Sequence, residues 1–189
     1  MRGGLHTDHR AIVAVAISVF LGLTLIMAVL PALREQSRPA TAAAATRTAE
    51  EEAGRRLYLR EGCGFCHTQF VRDLAMDRPF GRPSVAEDYA RENPPLLGTQ
   101  RTGPDLANVG ARQSSETWHL IHLYDPRSVV PHSVMPSYRW YFERKTAAAP
   151  GDVVVPVPTA PAGVVVVARP EARALVAYLL SLRQPEIAP

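Results

Sequence analysis

The stretch Gly62–Phe70, "GCGFCHTQF", decides how the rest of the chain is read. It holds the only two cysteines, Cys63 and Cys66, with His67 directly behind them. Three chemistries use a Cys-x-x-Cys spacing: a thiol redox pair, half of a zinc site, and a haem anchor. A thioredoxin-like pair belongs to a βαβ setting, whereas the flanking sequence here is helix-rich and Pro-rich. A structural zinc site needs four ligands, usually from a second closely spaced pair. His119 and His122 are the only such pair, and their interval is shorter than finger spacing. The third reading uses His67 as well. Cys-x-x-Cys-His is the pattern by which two thiols add across the vinyl groups of one porphyrin, with the adjacent imidazole under the iron. A covalent bond also removes the problem of losing the cofactor from a domain with a small core.

A haem anchor makes demands elsewhere in the chain. The proximal imidazole needs an acceptor on its other nitrogen, which fixes the tautomer and raises ligand basicity. "GPDL", Gly103–Leu106, offers the carbonyl of Pro104 on a tight turn. A sixth ligand comes from a short field. Met1 and Met27 lie in the leader and the apolar span, leaving Met76 and Met135. Met135 sits in "VVPHSVMPSY" between Pro131 and Pro136, a stiff loop able to hold a thioether, although a gap-filling role is the plain alternative. Met76 is within chain reach, and His119, His122 and His132 stay open as ligands. A Met/His pair favours a higher potential than two histidines. Arg101, Arg112 and Arg127 are candidates to neutralise haem propionates, since guanidinium pairs well with carboxylate. A structural or surface role is the equal alternative for each. Trp118 and His122 are candidates to lie near the haem, and core packing explains Trp118 equally well.

Outward from the motif, 189 residues suffice for one domain plus an accessory segment. That segment is Ala11–Leu30, "AIVAVAISVFLGLTLIMAVL", which carries no charge. As a helix it spans roughly 30 Å, the thickness of a bilayer's hydrocarbon core. A cleaved signal peptide has a shorter apolar stretch of about 7–15 residues. Small-residue cleavage sites in "ATAAAA" keep that alternative open, and the length favours a retained anchor. Arg2 and Arg10 precede the span and Arg34 and Arg38 follow it, so charge gives no orientation. The formal charge is +3, Lys145 is the only lysine, and no basic cluster is interleaved with aromatics. Nucleic-acid binding therefore has no support.

Four segments result: residues 1–10 before the span, the span 11–30, a tether 31–47, and a domain 48–189. The tether contains "SRPATAAAATRTA", Ser37–Ala49, without core-forming side chains. Thr48 with Glu51 forms a capping-box pattern, and Glu50–Glu52 put negative charge in the first turn of a helix carrying Gly54, Leu57 and Tyr58. Between Phe70 and Gln100, "RPFGRPS" and "ENPP" read as loop. A second helix is expected over Glu116–Tyr124, started by Ser114 or Ser115 and stopped before Pro126. Val153–Val157 and Val164–Val167 predict a small hairpin insertion, residues 153–167, with Pro156 and Pro158 keeping the first run at an edge. Leu175, Tyr178, Leu179 and Leu182 mark a last helix between Pro170 and Pro185.

Taken together, "GRRLYLREGCGFCHTQFVRDL", "RTGPDLANVG" and "WHLIHLYDPRSVVPHSVMPSY", behind an anchor, resemble the membrane-anchored mono-haem cytochrome c subunit (subunit II) of cbb3-type cytochrome c oxidases. The resemblance runs from Leu5 to Tyr141. It implies a mainly α chain, with a single transmembrane helix followed by a class I cytochrome c domain. It implies one covalently bound haem c, with thioethers on Cys63 and Cys66, iron ligands His67 and Met135, and Pro104 accepting from His67. Gly54 and Tyr58 then pack against Tyr178 and Leu179 where the first and last domain helices cross. The implied role is single-electron relay to a haem–copper catalytic subunit that reduces oxygen to water. Implied partners are that subunit, other cytochrome c subunits, membrane lipid, and a donor cytochrome c or quinol-oxidising complex. Haem is attached outside the bacterial plasma membrane, which implies a cytoplasmic N-terminus and a periplasmic haem domain. The Val/Pro-rich segment 153–167 departs from the usual subunit. A nitric oxide reductase uses a comparable subunit and is the alternative, as is an independent membrane-anchored cytochrome. The chain offers no nucleophile–base pair and no phosphate-binding loop, so it is read as a non-catalytic subunit.

Overall fold

The computed structural model describes residues 8–37, 39–41, 44 and 46–184; the expectations placed on Met1–Thr7, Arg38 and Pro185 lie outside them. The chain divides between Ala40 and Thr41 into two compact units.

The first unit is helical from His9 to Gln36. Helix α1, His9–Thr24, is capped by Asp8, whose carboxylate accepts from the backbone of Arg10 and Ala11. A wide π-turn, Leu25–Val29, joins it to α2, Leu30–Gln36. Pro31 lacks the N–H that would bond back to Met27, and the preceding turn widens so that Leu30 donates to Leu25 instead. The helix therefore runs on past Leu30, the end of the expected span, into the expected tether. It is 28 residues long, with Ile12, Phe20, Ile26 and Met27 exposed, and is long and apolar enough to cross a membrane.

The second unit starts at Thr41, within the expected tether. Thr41 Oγ1 donates to Asp88 at 2.8 Å, Ala44 is buried, and the Arg47 guanidinium lies 5.2 Å from the Tyr178 ring while paired with Glu92. Small and polar residues thus dock here through specific partners rather than through apolar bulk. Helix α3, Ala49–Arg60, opens with the capping box: Glu51 N donates to Thr48 Oγ1 at 3.2 Å and Thr48 N to Glu51 Oε2 at 2.7 Å. It crosses α6, Pro170–Ser181, face to face. Gly54 makes the crossing close, because a Cβ there would lie 1.9 Å from the Ala174 carbonyl oxygen and 2.7 Å from Tyr178 Cβ. Tyr58 meets Tyr178 edge-on at 5.4 Å, and the Tyr178 hydroxyl exchanges hydrogen bonds with the Gln69 amide.

Two shorter helices complete the α layer, α4, Val109–Arg112, and α5, Glu116–Tyr124, the latter capped by Ser115 Oγ accepting from Trp118 N. Their buried Val109, Leu120, Ile121, Leu123 and Tyr124 share one core with Leu57, Tyr58, Leu175 and Tyr178. The expected two-stranded hairpin is part of a three-stranded antiparallel sheet. β2, Val153–Val155, and β1, Phe142–Lys145, flank β3, Val165–Ala168, in the order β1-β3-β2. Val155 opposes Val166 and Phe142 opposes Ala168. Phe142, Val155 and Val166 turn into the core, and the sheet covers the end of the α layer near α5. Pro156 follows β2 at an edge, as its missing N–H requires.

Candidate functional site

Helix α3 delivers the Cys-x-x-Cys-His stretch. Its axis ends at Glu61, and Gly62 takes φ +68°, a left-handed turn that an L side chain rarely adopts. The chain then tightens into a single 3₁₀ turn, Cys63–Phe65, in which Cys66 N and His67 N both donate to the Cys63 carbonyl at 3.1 and 3.0 Å. Both thiols and the imidazole therefore leave one turn of backbone. Cys63 packs against the core while Cys66 is exposed. Burial pushes the free Cys63 thiol up to about 11, so it is protonated.

The segment after His67 lies against residues 103–107. Gly103 N donates to the Cys66 carbonyl at 2.9 Å and Leu106 N to the Thr68 carbonyl at 2.8 Å. Between these bonds His67 Nδ1 meets the Pro104 carbonyl oxygen at 2.8 Å. A carbonyl only accepts, so Nδ1 carries the proton and Nε2 carries the lone pair. Burial holds His67 below its ordinary value, with Pro104 and Asp105 pulling the other way, and the ring is neutral. Gly103 is needed beside it, since a Cβ there would stand 2.2 Å from His67 Cε1.

Met135 is half-buried against the same core that receives Cys63, whereas Met76 is 70 % exposed. His119 Nε2 is engaged by the Gln113 carbonyl at 2.8 Å. His122 stacks flat on Trp118 at 4.7 Å, and its buried Nδ1 has no hydrogen-bond partner among the described residues. His132 is exposed. Arg127 is exposed on the 3₁₀ turn Pro126–Ser128. Arg101 is turned inward: Nε donates to Thr68 Oγ1 at 2.7 Å, Nη1 to Asp77, and Nη2 to the Phe70 carbonyl at 2.6 Å and Asp105 at 3.4 Å. Arg112 donates to the Asp105 carbonyl and, like Arg101, lies over Phe80. Asp77 and Asp105, both fully buried, are the residues that sequence reasoning missed. Asp105 stood inside "GPDL", but its partners Thr68 and Phe70 are far away in sequence.

The sequence profile of one family, described as cytochrome c oxidase, mono-haem subunit/FixO, matches residues 6–155. The chain belongs to that family. A comparison with curated proteins returns no match. The family is the one that the motifs resemble, the mono-haem subunit II of cbb3-type oxidases, and it makes this chain an oxidase subunit with one haem. The match ends at Val155, the last residue of β2, so β3 and α6 lie beyond it. The residues present fit the family's haem. The turn presents two thiols and a neutral imidazole whose Nδ1 is already committed, so that Nε2 is the nitrogen left to ligate.

Proposed function

We propose that this mono-haem oxidase subunit relays single electrons to an oxygen-reducing haem–copper subunit from a periplasmic domain held by its apolar helix. The observation that carries the reading is the His67 turn, with Nδ1 held by Pro104 at 2.8 Å and both thiols on the same turn. Haem, when bound, supplies a one-electron iron couple. Cys63 and Cys66 would hold it covalently through thioethers. His67 Nε2 and the Met135 sulfur would be the side chains that hold the iron. Pro104 holds the proton on His67 Nδ1, which leaves the Nε2 lone pair for the iron. The core around Tyr58, Leu120 and Tyr178 excludes water from one side of the turn. Arg127, exposed beside α5, is the candidate for a propionate; Arg101 has its donors occupied by other groups.

The orientation follows from the chemistry, since thioethers form outside the plasma membrane: the N-terminus is cytoplasmic. The partners under this reading are the catalytic subunit, further cytochrome c subunits and a donor cytochrome c or quinol-oxidising complex. The test is the denatured full chain. Haem that remains with the polypeptide by mass and by Soret absorbance, and is lost in a Cys63→Ala, Cys66→Ala double variant, is the expected result. A chain stripped of haem by denaturation contradicts the proposal.

A further inference from the structure

Asp105 is fully buried and accepts four hydrogen bonds from two segments. Its Oδ2 receives Thr68 Oγ1 at 2.6 Å, Phe70 N at 2.8 Å and Arg101 Nη2 at 3.4 Å, while Oδ1 receives Ala107 N at 2.8 Å. Thr68 directly follows His67, and Asp105 directly follows Pro104. One carboxylate thus ties the covalent neighbours of both partners in the His67–Pro104 hydrogen bond.

The carboxylate is itself braced. Arg101 spans Asp105, Thr68 and Asp77, and Asp77 takes both the guanidinium and the backbone N–H of Arg72, at 2.9, 2.9 and 2.8 Å. Arg72 and Arg101 hold the Asp77 carboxyl well below the usual carboxylate range, so the brace is ionised. Phe80 lies between the guanidinium groups of Arg101 and Arg112, at 5.5 and 5.2 Å. Two backbone bonds already lay the segments side by side. A buried carboxylate added to them is costly unless paired, and it is paired on every side that the two segments offer.

We infer that Asp105, braced by Arg101 and Asp77, is a positioning residue that sets how firmly Pro104 holds the His67 Nδ1 proton, and through it the reduction potential of the haem. The inference rests on the reading of His67 as the haem's proximal ligand. A firmly held Nδ1–H makes the imidazole a stronger donor and favours the oxidised iron. Loosening it favours the reduced iron and raises the potential.

Two variants of the full-length, haem-loaded chain in detergent test this. Asp105→Asn keeps the shape but replaces an oxygen that accepts from three donors. Thr68→Val keeps the charge of Asp105 and deletes one of its bonds. The readouts are the reduction potential and solvent exchange of the His67 Nδ1 proton, followed by NMR on ¹⁵N-histidine-labelled protein. Loss of a hydrogen bond of ordinary net strength makes exchange about fivefold faster in Thr68→Val, with a larger effect in Asp105→Asn. The potential rises in the same order. Exchange at the wild-type rate in Thr68→Val overturns the inference, whatever the potential of Asp105→Asn, because a potential shift alone is the effect of a distant charge. If Asp105→Asn fails to fold, Thr68→Val decides alone. A wild-type chain without a haem ligated by His67 overturns the underlying reading instead, before either variant is compared.

Discussion

Replacing Gly54 with alanine places one methyl group where α3 and α6 cross. That carbon would lie 1.9 Å from the Ala174 carbonyl oxygen, 2.6 Å from its carbonyl carbon and 2.7 Å from Tyr178 Cβ. Two of these atoms are backbone, so no rotamer change relieves the clash. Ordinary contact begins at 3.4 Å, and the helices must part locally by about 1.5 Å. Overpacking of this kind costs about 1–3 kcal/mol, and disturbing the Tyr58–Tyr178 edge contact adds about 1 kcal/mol. Against this, alanine is favoured over glycine inside a helix by about 1 kcal/mol. The net expectation is a loss of about 1–3 kcal/mol, or a fall in Tm of about 2–12 °C for a domain of this size. The assay is thermal unfolding of the full chain in detergent, followed at 222 nm. Arg56→Ala, on the exposed side of the same helix, serves as the control. A Gly54→Ala variant as stable as the parent, or more stable, would show that the helices do not approach closely and would falsify the packing described here.

Further outcomes follow from the site. Met135→Ala is expected to abolish the sulfur-to-iron charge-transfer band and lower the potential, while Met76→Ala, at an exposed position, changes neither; loss of the band in Met76→Ala would reverse the ligand assignment. His122 sets a pH window. Burial chiefly, with His119 and His67 as neighbours, lowers it from 6.5 to about 4, so the unfolded chain binds a proton that the folded one resists. Its contribution is complete above pH 6.5 and is lost as pH falls toward 4; His122→Gln should flatten that part of a stability–pH curve, and an unchanged curve counts against the assignment. Asp77 and Asp88, both held below 3.8, contribute a separate loss at lower pH. Arg101→Lys should lower Tm, because one ammonium cannot span Thr68, Asp77 and the Phe70 carbonyl; chemical-denaturation midpoints matching the parent would exclude that bridging role.

What the residues alone made legible was local, while the crossing of Gly54 and Tyr58 with Tyr178 came from the family resemblance. Thr48 and Glu51 lie three residues apart and cap α3, and Ser115 caps α5. The i, i+3, i+4 spacing of Leu175, Tyr178 and Leu179 gave away α6. The Pro104 carbonyl was visible because "GPDL" is a motif in its own right. Strand β1, "FERK", was not visible: it has no apolar run or alternation, and its pairing comes from the valines of β3. The Arg101–Asp77 pair was hidden because it closes across a loop without periodicity, where any of several arginines would have served equally well on paper. The run of helix beyond Leu30 was not visible because the span was bounded by its uncharged apolar run, whereas one widened turn carries the helix past Pro31 to Gln36.

The meeting of α3 with α6 also sets an order of events during synthesis. These helices lie at opposite ends of the domain, and Gly54 reaches its partner Ala174 only after the intervening loops and sheet have been made. Contacts of such long sequence separation form late. The 3₁₀ turn bearing Cys63 and Cys66 directly follows α3 and is synthesised long before α6, the helix that closes over α3. Under the haem reading proposed above, the thiols would stand on an unfinished domain during that interval, and α6 would afterwards fix the helix that carries them.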